Sequence, residues 1–161
     1  MPITIPIPRP RAGQLNGMPF VEQLHHSGCA IACIATIAGR TYDEAQRTAQ
    51  RERSRDKSLW DHEIVETLAS FGIRGRFVEG HVLDDRPAIL MFDWPESVLT
   101  HCVVWDPIAV RFIDPSIGSR EQLFEWEFWV SSGRHAVVVE REAITARPLR
   151  RRHGRNQPGM R

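Results

Sequence analysis

No apolar stretch in this 161-residue chain is long enough to span a bilayer, which excludes a membrane-spanning helix. The opening residues alternate proline with aliphatics (Pro2, Ile3, Ile5, Pro6, Ile7, Pro8). No basic region precedes an apolar segment there, so the start does not read as an export signal and a cytoplasmic location is expected. Export by a route that needs no such signal is left open. Cysteine is scarce: Cys29, Cys33 and Cys102 are an odd set without framework spacing, which argues against a disulfide scaffold. A Cys33–Cys102 bridge stays open at this point. His25 and His26 lie near Cys29 and Cys33, but the C-x3-C spacing has no second pair of ligands at zinc spacing, so no metal is expected. Internal repeats are missing. Lysine is nearly so, Lys57 being the only one.

What remains is a composition of 42% hydrophobic and 25% charged residues, enough for one domain around one core. The net charge of +1 is uneven. The last fifteen residues hold six arginines (Arg147, Arg150, Arg151, Arg152, Arg155, Arg161) and no acid, leaving 15 basic and 20 acidic residues in the body, a net of −5. Residues 142–161 read as a basic, solvated tail. That tail is the one feature that would suit nucleic acid, which is otherwise not an expected partner. Residues 1–17, with four prolines and two glycines, read as an arm. The folded domain is expected over 18–141.

Within it, 28–38 is apolar nearly all round and predicts a buried helix, with Ser27 as its cap and Gly39 at its end. A second helix is expected over 42–53 behind Thr41, and a third over 59–71, ended by Gly72. Strands are expected over 74–78, 87–94, 98–105, 110–113 and 134–140, and a short helix over 121–129. The apolar run at 87–94 reads as a central strand. Helices first and then mostly antiparallel strands indicate an α+β domain.

Two constellations carry chemistry. Cys29 falls at the start of the buried helix, where free N–H groups and the helix dipole favour a thiolate, the nucleophilic form. Gln23, six residues earlier, carries a carboxamide that can donate to an oxyanion. For the second, a turn at Asp106–Pro107–Ile108–Ala109 would set Trp105 opposite Val110, Val103 opposite Phe112, and His101 opposite Asp114. A carboxylate there can orient an imidazole and select its tautomer. Asp106, at the turn itself, reads as a turn former. Cys33 reads as a small core residue, and His25 and His26 as loop residues on the approach.

The assembled pattern is Gln23-x5-Cys29, then His101 opening a hydrophobic strand, then Asp114–Pro115 closing another. It resembles the papain-like cysteine peptidases, and within them the C39 peptidase family of bacteriocin-processing domains and its C39-like relatives. The resemblance covers roughly 18–141. It implies a papain-like α+β fold with the cysteine helix packed on a mainly antiparallel sheet, and thiol chemistry with neither metal nor cofactor. It also implies Cys29 as nucleophile, His101 as base, Asp114 as third catalytic residue and Gln23 in the oxyanion site. The substrate would be a peptide or protein, cut at a peptide, isopeptide or other amide bond. Where the family usually has an acidic residue before the cysteine and glycine after it, this chain has Gly28 and Ala30. Two alternatives keep the same residues: an acyltransferase or transglutaminase-like enzyme in which an amine replaces water, and a C39-like module that holds a peptide without cutting it.

Overall fold

The computed structural model describes residues 17–49, 58–80, 83–93, 100–116 and 133–140. The expected arm before residue 17, the last four residues (50–53) of the second helix, the short helix over 121–129 and the basic tail lie outside them. Three helices, α1 (Cys29–Ala38), α2 (Tyr42–Ala49) and α3 (Asp61–Ser70), precede five strands, β1 (Gly75–Glu79), β2 (Ala88–Asp93), β3 (Thr100–Asp106), β4 (Arg111–Ile113) and β5 (Gly133–Val139). The strands form one antiparallel sheet in the order β1-β5-β2-β3-β4. The architecture is α+β, three N-terminal helices on a five-stranded antiparallel sheet. The run expected to be a central strand is β2, in the middle of the sheet. No helix among the described residues is long and apolar enough to cross a membrane.

α1 is apolar on every side because every side is covered. The sheet lies beneath it and α2 and α3 lie against it, and each residue from Cys29 to Thr36 is buried. Its end follows the expectation. Gly39 takes a left-handed conformation (φ 60°) and its N–H closes onto Thr36 O. Its start does not. Gly28 rather than Ser27 holds the cap position, and no side chain caps the helix. The first amides of α1 are therefore left for something else to use. Thr41 does cap α2: its hydroxyl accepts from Glu44 N (3.2 Å), while Glu44 Oε2 accepts from Thr41 N (2.9 Å).

The β3–β4 hairpin departs from expectation by two residues. Trp105 pairs with Phe112 and Asp106 with Arg111. The connecting loop therefore has four residues (107–110) instead of two. The cause is Asp106, whose buried carboxylate accepts from Ile108 N (3.0 Å) and Ala109 N (3.2 Å) and wraps the loop round itself. Val110 is carried into a left-handed conformation (φ 52°) as the loop closes. A shift of two residues keeps each side chain on its own face, since strand side chains alternate. His101 and Asp114 thus remain on one side although they do not oppose each other.

Candidate active site

Cys29 sits at the first turn of α1 over the beginning of β3, its sulfur 3.9 Å from Thr100 O. The next residue of β3 is His101. Its Nε2 lies 2.8 Å from Asp114 Oδ1, just past the end of β4. The contact is diagonal: continuing the ladder would put Ser116 opposite His101, and Ser116 Oγ is indeed 3.4 Å from Nε2. Asp114 Oδ1 also accepts from Ser116 N (2.9 Å) and Ser116 Oγ (2.7 Å). With Nε2 engaged by the carboxylate, Nδ1 is the ring nitrogen left for the thiol.

The electrostatics follow from these contacts. A hydrogen bond from the Cys102 thiol is the largest influence on Cys29. Burial opposes ionisation, and hydrogen bonding and positive charge from His101 favour it, so that the pKa falls from 9.0 to about 5. For His101, burial disfavours charge, but the bonds to Asp114 and Cys29 outweigh it and raise the pKa from 6.5 to about 9. Burial works against the Asp114 carboxylate too, yet the His101 and Ser116 bonds hold it below the usual range. The other two thiols stay protonated. Cys102 is pushed well up by its bond to the Cys29 sulfur and then by burial, and Cys33 by burial ahead of the charge on Cys29. All three cysteines are free, so no Cys33–Cys102 bridge is present.

Gln23 joins the same place from the N-terminal side. Its backbone N–H donates to Pro115 O (2.8 Å), next to Asp114, and its Nε2 donates to His25 O (3.0 Å). Among the described residues, neither the second Nε2 proton nor the uncapped Cys29 N–H has an acceptor. His25 and His26 are exposed loop residues, and the His25 ring packs edge-on against Tyr42.

Cys29, His101 and Asp114 therefore lie in one run of contacts, and the Gln23 backbone is tied to Pro115 beside them. Such a set can hold a thiolate and an imidazolium side by side, with amide donors for a developing oxyanion. Sequence reasoning missed Ser116 and the donor role of Cys102. Ser116 had a local signal, since a serine two residues after an aspartate readily closes a side-chain turn. Cys102 had none, because only the packing of α1 on β3 brings its sulfur beneath Cys29. In comparisons with protein-family models and with curated proteins, the chain matches none of either.

Proposed function

We propose that the protein is a papain-like, C39-like cysteine hydrolase that cleaves a peptide, isopeptide or related amide bond. The observation that carries this reading is the run of contacts from the Cys29 thiol through the His101 ring to Asp114 at an uncapped helix start. The Cys29 thiolate adds to the carbonyl carbon. The oxyanion that forms accepts from Gln23 Nε2 and Cys29 N–H. The His101 imidazolium, oriented by Asp114, gives its proton to the departing amine as the C–N bond breaks, leaving a thioester on Cys29. His101, now neutral, takes a proton from water. The hydroxide adds to the thioester and the thiolate leaves, which restores the ion pair.

The test uses a small activated ester, p-nitrophenyl acetate, read by p-nitrophenolate release and by the mass of the acetylated protein. Acetylation mapped to Cys29 in the wild type, and lost in a Cys29→Ala variant of unchanged far-UV circular dichroism, is the expected result. Equal acetylation of the two proteins overturns the reading. Adding a primary amine during turnover separates hydrolysis from transfer. Acetate as the sole product is expected, and N-acetylated amine as the main product would make the enzyme a transferase.

A further inference from the structure

Gly28 has an ordinary backbone, φ −92° and ψ 4°, open to any residue. It is glycine for want of space. A Cβ there would land on Tyr42 Oη and would come within 3.1 Å of both Tyr42 Cζ and His25 O. The tyrosine hydroxyl is thus seated against the backbone immediately before the nucleophile. Tyr42, at the first residue of α2, is only 6% exposed, and its hydroxyl has no well-aligned partner among the described residues. Burial pushes its pKa up, against the opposing influence of Leu24 N–H. Its ring meets the His25 ring at 6.4 Å between centroids. One side chain therefore touches the 23–28 turn at Leu24, His25 and Gly28.

That turn carries one proposed oxyanion donor, Gln23, and leads directly into the other, Cys29 N–H. Gly28 N donates to His25 O (2.9 Å), and the same carbonyl accepts from Gln23 Nε2. The carbonyl fixes the carboxamide relative to Cys29 N–H only as long as the turn keeps its shape. Gln23 Oε1 is buried and has no partner among the described residues that would fix it.

We propose that Tyr42 is a positioning residue of the oxyanion site, its hydroxyl seated on Gly28 and clamping the 23–28 turn so that Gln23 Nε2 and Cys29 N–H stay aimed at one point. The inference rests on the cysteine-hydrolase reading and assigns a role within it. Displacing oxyanion donors slows acyl transfer, which builds an oxyanion. It leaves alkylation of the same thiolate alone, since displacement at a saturated carbon builds none.

The experiment compares two reagents on the full chain, p-nitrophenyl acetate and iodoacetamide, both followed at Cys29 by mass. Tyr42→Phe keeps the ring and removes the hydroxyl. Acetylation is expected to fall about tenfold, with alkylation within about twofold of wild type. A Gly28→Ala variant drives a methyl group onto the hydroxyl and should also lose acetylation. Adding Tyr42→Phe to it should restore part of the loss, because the hydroxyl in the way is gone. Equal acetylation in Tyr42→Phe and wild type overturns the proposal, and so does a parallel fall in both reactions. Losses that simply add in the double variant overturn the seating on Gly28. A wild type that is alkylated at Cys29 but never acetylated there brings down the hydrolase reading itself, and Tyr42's role with it.

Discussion

Two thiols on neighbouring elements have opposite fates. Cys29 is lowered to about 5 while Cys102 is pushed well above 9.0, because a hydrogen bond between them favours the thiolate on the first and the thiol on the second. The ionised partner is the one that also has an imidazolium beside it and a helix start under it. Cys102 then acts as a neutral donor, and a hydrogen bond from a neutral group to a charged one contributes about 1.5–3 kcal/mol. Replacing Cys102 by alanine should therefore move the pH profile of Cys29 alkylation upward by about one to two units. Cys102→Ser, which keeps a hydroxyl donor, should move it less. Identical profiles for wild type and Cys102→Ala would mean that His101 alone sets the thiolate. In the wild type, alkylation should rise through about pH 5, and acyl transfer should fall again as the His101 imidazolium is lost near pH 9. At this scale the contact between His101 and Asp114 was legible, since the expected strand register put both on one face, and Cys29 was legible as a helix-start residue. The partner that matters most to the thiol was not, since Cys29 and Cys102 meet only through tertiary packing.

Between β3 and β4 the element that decides geometry is Asp106. It is fully buried, and besides its two loop amides it accepts from Met18 N (2.7 Å), which pins the start of the described chain to the hairpin. Gly17 leaves room for that contact, since a Cβ there would strike the carboxylate. Arg111 Nε, 3.6 Å away, offsets the charge. Asp106→Asn puts an N–H2 where one set of amides expects an acceptor. Leaving a buried donor unsatisfied costs about 1–3 kcal/mol. An unfolding free energy lowered by that amount is expected, read as a lower urea midpoint with little change in the slope of the transition. An unchanged midpoint would show that water satisfies the amides. The same residue explains what was and was not legible in the hairpin. Reading Asp106 as a turn former was right in kind. The loop length was wrong, because a carboxylate turned inward organises four residues where two had been allowed. The faces survived the error because it was even.

For the whole molecule, the order of helices and then antiparallel strands could be read from the pattern of apolar residues, and it gave the class of the fold. The strand order could not. β5 enters between β1 and β2, a pairing between the last and the earlier strands that no local signal specifies. The Cys29–His101 pair also acts on the molecule as a whole, through its protons. The folded pKa of His101 is raised, so alone it would stabilise the fold below about pH 6.5 and lose that effect as pH rises through about 9. The folded pKa of Cys29 is depressed, so alone it would stabilise above about 9.0 and lose that effect as pH falls through about 5. Between 6.5 and 9 the two slopes cancel, because folded and unfolded chains hold one proton each on the pair. Between 5 and 6.5 the unfolded chain holds one more, and stability should climb with pH by an amount on the order of 2 kcal/mol. Cys29→Ala removes the climb and leaves the His101–Asp114 contribution, which declines as pH rises past 6.5. The stability of wild type relative to Cys29→Ala, measured by urea unfolding from pH 5 to pH 8, should therefore grow steadily with pH. The lost packing of the sulfur shifts that difference by a constant and cannot tilt it. A flat difference would mean that Cys29 is folded as a neutral thiol, and the nucleophile would lose its charge along with its place in the mechanism.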